Sequence, residues 1–244
     1  MTVVNIFSID LEEVFHAEYI RPYIKDSDKV YSTPLILQNI IKFLAIHNVE
    51  ATFFIVGEIA EKFPWIIKIL TEKGHEVAFH GWSHEPLWKL NYQSFRKELM
   101  LFKRLHPKCI GFRAPSFSIN NKTKWALNLL EKMKFKYDSS VFPTWTPLYG
   151  IYKAPIKPYI PNRLDISKES KGGIDGYNLI EFPLAVYKLW NIKILLRFRY
   201  IQYYRKNGSF WRLGRVPLYI PPYKAFNTVF AFDAKPLSGA ARKS

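Results

Sequence analysis

The first 140 residues alternate between two periods, and this constrains the fold more than any other feature. Val3 to Asp10 is a short apolar run that ends in acid. Ser32-Thr33-Pro34 then reads as a helix cap with proline in the first turn, opening Leu35 to Ile46 at helical spacing. Ala51 to Val56 reads as a buried strand closed by Gly57, and Glu58 to Glu72 as a helix stopped by Lys73-Gly74. Glu76 to Phe79 and Cys109 to Phe112 read as strands, Tyr92 to Leu105 and Asn121 to Met133 as helices, and Phe135-Lys136-Tyr137 opens a further strand. Repeated strand–helix order predicts an α/β fold, a parallel sheet with helices outside, either open or closed into a barrel. In such folds reactive side chains stand at the carboxyl ends of strands.

Composition narrows the class. A chain of 244 residues with 48% hydrophobic residues can bury a sizeable core, and one cysteine, Cys109, excludes a disulfide scaffold and any cysteine-built zinc site. No apolar run approaches the ~20 residues needed to span a bilayer. The N-terminus lacks a basic n-region and a long apolar h-region, so a cytoplasmic location is the expectation. Phe142 to Pro161, rich in proline and aromatics, reads as a long loop, and Leu179 to Phe182 as one more strand. From Phe182 to Phe232 there is no acidic residue, while lysine, arginine, tyrosine and tryptophan recur. The expected organisation is a single domain over 1–235 and a disordered tail over 236–244.

Four clusters fall at the predicted strand ends. Ser8-Ile9-Asp10-Leu11-Glu12-Glu13 closes the first strand; carboxylates there are costly unless they meet a cation, a solvated turn being the alternative. His80-Gly81-Trp82-Ser83-His84 follows the third strand. Two histidines four apart meet on one face of a helical turn, and with one carboxylate they form a zinc set that leaves a position open for water. Gly111-Phe112-Arg113-Ala114-Pro115-Ser116-Phe117 offers an arginine able to hold Asp10 through a bidentate pair, against the plainer reading of a surface salt bridge. Tyr137-Asp138-Ser139-Ser140 is the fourth, with a cap or turn as its plainer reading.

In order and spacing these clusters resemble the polysaccharide deacetylase family, the NodB-homology or carbohydrate esterase family 4 group. The likeness covers roughly residues 3 to 143, with weaker echoes to about residue 215. It is closest to the exopolysaccharide-associated branch, whose first motif runs Asp-x-Glu-Asp. The resemblance implies a distorted (β/α) barrel of about seven strands, here incomplete at the C-terminus, and a divalent metal, usually zinc. His80 and His84 would be ligands. The family's adjacent aspartate position holds Leu11, so the third ligand falls to Glu12, with Glu13 as the alternative. Asp10 would be the general base, Arg113 would orient it, and Asp138 matches an acid that in the family supports a histidine acid near the C-terminus. Trp82, Pro115 and Phe117 would line the substrate site.

That histidine is missing. All six histidines lie at or before His106, so no Leu-x-His motif follows. A shortened or altered C-terminus is one account, a non-catalytic relative the other. The implied reaction is hydrolysis of N-acetyl groups on the amino sugars of a polysaccharide or carrier-linked glycan, slowed by the missing acid. The substitutes for it are His16 and protonated Asp10. Two other readings remain: a glycan-binding relative without turnover, and a basic protein bound to nucleic acid or a membrane surface, suggested by the net charge of +16. No nucleic-acid motif accompanies that charge. Lys188, Lys193, Arg197, Arg199 and Arg205 do not gather on one helical face, which argues against an amphipathic anchor.

Overall fold

A computed structural model describes residues 6–146, 149–189, 192–195, 203–206, 209–212 and 228–230. Six strands run parallel and in chain order: β1 (Ser8–Leu11), β2 (Thr52–Ile55), β3 (Glu76–Phe79), β4 (Gly111–Phe112), β5 (Tyr137–Asp138) and β6 (Ile180–Glu181). Further on come β7 (Val186–Leu189) paired with β8 (Ile192–Leu195), and β9 (Tyr203–Lys206) paired with β10 (Ser209–Arg212), two antiparallel hairpins. A seventh strand of the main sheet, β11 (Thr228–Phe230), lies antiparallel against β1. The strand count meets the expectation of about seven. Among the described strands the pairing runs from β11 to β6 without joining those two, so the wall is open there.

Residue parity sorts the two faces of this sheet. Ile9, Leu11, Phe53, Ile55, Val77 and Phe79 join the buried core beneath helices α1 (Thr33–Ile46), α2 (Gly57–Lys62), α3 (Trp65–Glu72), α4 (Tyr92–Leu105) and α5 (Trp125–Lys132). Phe79 meets Phe102 of α4 with ring centroids 4.5 Å apart. Ser8, Thr52, Phe54, Glu76, Tyr137 and Ser139 line the opposite side, where a cavity of about 320 Å³ opens. A side chain with chemistry to perform is therefore carried on the cavity parity, and a side chain of the other parity is spent on packing.

Three local expectations change. The helix predicted over Glu58 to Glu72 is two helices, because Pro64 cannot donate a backbone hydrogen bond within a continuous helix. The helix expected from Asn121 is regular only from Trp125, since the Asn120 side chain accepts from the Lys122 and Thr123 amides and closes a turn there. Ser32 precedes α1, but its side chain does not cap it; the carboxylate of Glu13, just after β1, does so instead. The basic segment contributes strands, not a helix, where it is described. No helix among the described residues is long and apolar enough to cross a membrane. The tail predicted over 236–244 lies outside the described residues.

Candidate functional site

Ser8, Asp10 and Glu12 stand at alternate positions, so all three share the cavity side while Leu11, 0% exposed, joins the core. Asp10 is buried and its Oδ1 accepts a hydrogen bond from Arg113 Nη1 at 2.6 Å. The expected bidentate pair does not form. Arg113 spreads its fork instead: Nη2 donates to Ser8 Oγ at 3.0 Å and Ser139 Oγ at 2.9 Å, and Nε donates to the Ser139 carbonyl at 2.9 Å. Its guanidinium also lies 3.9 Å from the Phe54 ring centroid, a cation–π contact in a dry setting. One arginine thus fixes Asp10 to β1, β2 and the turn after β5, and the plainer reading of a surface salt bridge does not hold.

The second half of the site hangs on the loop after β3. His80 and His84 do not lie on a helical turn, as their spacing suggests; the loop bends, and His84 is left-handed with φ 58°. The first amides of α2 hold this loop, Gly57 N–H donating to the Gly81 carbonyl and Glu58 N–H to the Trp82 carbonyl, both at 2.9 Å. Gly57 is required: a Cβ there would meet the Trp82 ring at 2.4 Å. Arg21 secures the far end, its Nη2 donating to the carbonyls of His16, Ser83 and His84 while the guanidinium pairs with Glu85. Those bonds offset the cost of a left-handed histidine, on the order of 1–3 kcal/mol.

The imidazoles are oriented by their Nδ1 atoms. His80 Nδ1 lies 2.8 Å from the Arg113 carbonyl and His84 Nδ1 lies 3.1 Å from the His16 carbonyl. A carbonyl only accepts, so each Nδ1 carries the proton and each Nε2 presents its lone pair to the same space. Glu12 completes the set: ligand atoms of Glu12, His80 and His84 lie within 4.8 Å of one another. Glu12 Oε2 is buried, lacks a hydrogen-bond donor among neutral groups, and sits 2.6 Å from His84 Nε2. Two acceptors that close require a shared proton or a cation. Burial alone would raise the Glu12 pKa, but His84, His80 and His16 outweigh it and bring it to about 2. Burial pushes His80 down to about 4, against the pull of Asp10. Burial also opposes charge on His84, yet Glu12 overrides it and raises that pKa. Two neutral-capable imidazoles with fixed tautomers and one ionised carboxylate fit a divalent metal.

The alternative ligand is committed elsewhere. Glu13 Oε1 accepts from the Thr33 amide at 2.7 Å, and Oε2 accepts from the Ser32 amide at 3.0 Å and the Ser32 hydroxyl at 2.7 Å, capping α1. His16 lies beside the histidine pair, its ring centroid 6.3 Å from that of His84. Its Nδ1 accepts the Glu13 amide at 2.9 Å, so the proton sits on Nε2, 3.4 Å from Glu58 Oε2.

Asp138 is not part of the metal-competent set. Its Oδ1 accepts from Ser140 Oγ at 2.5 Å, and Ser140 Oγ in turn accepts the Ala114 amide at 2.7 Å. Glu181, across the β5–β6 register, faces it. Of the three predicted lining residues, Trp82 and Phe117 are partly exposed, while Pro115 is buried against Gly81, where an added Cβ would meet the proline ring at 2.7 Å. Phe117 packs near Tyr149 and Phe142, at 5.5 and 6.1 Å between centroids. Sequence reasoning placed Ser8 and Ser139 inside the strand-end clusters without a role and gave none to Glu181. The parity of Ser8 with Asp10 and the place of Ser139 beside Asp138 were the available signals; nothing local marks Glu181.

Residues 28–137 match the polysaccharide deacetylase family model, a stretch that contains both histidines and Arg113 and ends one residue before Asp138. The peptidoglycan-N-acetylglucosamine deacetylase of Bacillus cereus is 35% identical over 108 residues, covering 41% of this chain and 38% of that protein. The peptidoglycan deacetylase of Helicobacter pylori is 34% identical over 119 residues, covering 46% of this chain and 40% of its own. These matches span about two fifths of either relative's length. A Mycobacterium smegmatis structure assigned as a polysaccharide deacetylase shares the fold, with a TM-score of 0.53 at 24% identity over 74% of this chain and 58% of that one. Over residues 28–137, this chain is similar to the polysaccharide deacetylase family.

Proposed function

We propose that this chain is a metal-dependent hydrolase that removes N-acetyl groups from the amino sugars of a polysaccharide or carrier-linked glycan. The single observation that carries the reading is the convergence of Glu12, His80 and His84 beside Asp10, with both Nδ1 protons tied to carbonyls. Similarity to relatives named as peptidoglycan deacetylases supports the substrate class. Two imidazoles and one carboxylate suit zinc, and a divalent ion held there supplies Lewis acidity toward a carbonyl and acidifies water.

The protein's own residues do the rest. Asp10, held at one oxygen by Arg113, keeps Oδ2 turned toward the histidine side, 3.9 Å from His80 Nε2, where it takes the proton of the attacking water. The Phe117 amide is engaged with the Ala114 carbonyl at 3.1 Å, so the Ser116 amide is the donor assigned to the developing oxyanion. The departing amine then needs a proton. His16 points its Nε2 proton at Glu58, so protonated Asp10 is the nearer source. One group serving as both base and acid predicts a rate about 10²–10⁴-fold below that of a site with a separate acid. Esters suffer less, because an alkoxide leaves more readily than an unprotonated amine. The acid-free run from Phe182 to Phe232 suits an anionic carrier-linked glycan or a membrane surface.

Acetate release from N-acetylglucosamine oligomers and from an activated acetyl ester tests the reading. Metal-loaded protein should cleave the ester readily and the amide slowly, and both activities should vanish in Asp10→Asn. Efficient amide cleavage would reveal another proton donor, with His16→Ala as the check. Cleavage of neither substrate would favour a glycan-binding protein without turnover.

A further inference from the structure

At the far side of Arg113 from the metal-competent set, β5 and β6 end with Asp138 opposite Glu181. Both residues are 0% exposed. One oxygen of each has a donor: Asp138 Oδ1 takes the Ser140 hydroxyl, and Glu181 Oε1 takes the Val141 amide at 2.8 Å. The remaining two, Asp138 Oδ2 and Glu181 Oε2, are buried without a donor, on side chains at paired positions of adjacent strands. Ionised carboxylates only accept hydrogen bonds. Two of them face to face in a dry site cannot both stay charged, whereas one proton between them supplies the missing donor and removes one charge.

The surroundings agree. The charged group facing the pair is Arg113 at the end of β4, which favours ionisation, but its fork is engaged with Asp10, Ser8 and Ser139. Tyr159, the titratable neighbour in the loop before β6, donates its hydroxyl to the Ile166 carbonyl at 2.7 Å and offers the pair nothing. Burial dominates: Asp138 is pushed up to about 6, and Glu181 is raised well above the usual carboxylate range. The pair is also wired to the site. Asp138 holds Ser140, Ser140 holds the Ala114 amide, and Ala114 directly follows the arginine that fixes Asp10.

We propose that Asp138 and Glu181 share a single proton and that Glu181 is a positioning residue, keeping the Arg113–Asp10 pair in place through Asp138 and Ser140. Only the catalytic consequence rests on the deacetylase reading; the shared proton and the fixed arginine do not. Loss of the proton at alkaline pH places two negative charges in contact and loosens the end of β5. Glutamine at 181 would donate permanently and keep the pair at one negative charge.

The test compares the full chain with Glu181→Gln and, as its mirror in case that variant fails to fold, Asp138→Asn. Infrared difference spectra at neutral pH should show a protonated-carboxyl carbonyl stretch that is stronger in the wild type than in either variant, over the contribution of Glu98 common to all three. Protection of Arg113 Nε–H against hydrogen exchange, followed by nitrogen-15 NMR and referred to free arginine at each pH, should fall in the wild type as the pH rises above neutral and stay constant in Glu181→Gln. If the chain deacetylates, Glu181→Gln should keep kcat within about 3-fold and lose the alkaline fall in rate, whereas Glu181→Ala should lose about 10–100-fold in kcat with KM little changed. A carboxyl band of equal strength in the wild type and both variants overturns the shared proton. Identical Arg113 exchange profiles in wild type and Glu181→Gln overturn the positioning role. Inactivity of every form, with both spectroscopic results as expected, would count against the deacetylase reading alone.

Discussion

Two acidic clusters flank Arg113, and they solve the burial of carboxylates in opposite ways. At the end of β1, Asp10, Glu12 and Glu13 sit close in sequence, yet each has its own cationic or N–H partner: the arginine, the histidine pair, and the first amides of α1. At the end of β5 and β6, Asp138 and Glu181 have chiefly each other. The lesson is that partner geometry sets the charge of a buried acid, and residue type does not. Donors and cations surround the first cluster and suit it to metal and proton chemistry. Their scarcity drives the second cluster to hold a proton and act as structure.

The largest break in that contrast comes from the metal-competent set. Glu12→Ala, His80→Ala and His84→Ala should each cost more metal affinity than the roughly 10–100-fold typical of outer-shell partners, read as metal stoichiometry after dialysis. Glu13→Ala should keep the metal. If Glu13→Ala loses the ion and Glu12→Ala retains it, the division of labour on β1 is wrong. Asp10→Asn comes next: activity should fall by about 10²–10⁴-fold while most of the metal stays bound, so a parallel loss of metal would make Asp10 a ligand.

A smaller effect separates Glu13 from its neighbours on stability alone. Removing a buried carboxylate that caps α1 through three hydrogen bonds should lower the unfolding free energy by about 1–3 kcal/mol, measured by denaturant titration. The second cluster should show itself through pH. The folded-state pKa of Asp138, about 6, lies above its ordinary 3.8, so the folded protein holds the extra proton between those values. Stability therefore falls as the pH climbs through that window, and further as the still higher Glu181 titrates. Asp138→Asn should flatten the decline, by on the order of 1–3 kcal/mol at neutral pH. The smallest expected effect is at Glu98, which accepts the Trp82 amide at 3.0 Å and is raised to about 7 by burial. Glu98→Gln keeps an acceptor and sheds the charge, so it should raise the melting temperature at pH ~8 more than at pH ~5, with a gain on the order of 1 kcal/mol.

Much of this was legible in the sequence, for a definable reason. Periodicity reports which face a residue uses, so the strand–helix order and the strand-end placement of Asp10, His80, Arg113 and Asp138 followed from local pattern. Parity on β1 also favours Glu12 over Glu13, since positions 8, 10 and 12 share a face. What local pattern does not encode is the destination of a side chain across the fold. The Arg113 fork reaches Ser8, 105 residues away, and Ser139, 26 residues away. Glu13 caps a helix that begins 20 residues later, a task that sequence assigned to Ser32. The left-handed turn at His84 depends on Arg21, 63 positions off. Glu181 carries no mark in its own segment, because its protonation comes from Asp138 on the neighbouring strand.

The most direct measurement is a calorimetric titration of zinc into the metal-free full chain and into Glu12→Ala. The account predicts one tight site in the wild type, with proton release as the proton between Glu12 and His84 is displaced, and no such site in the variant. An equally tight site in Glu12→Ala, or no tight site in the wild type, would contradict it.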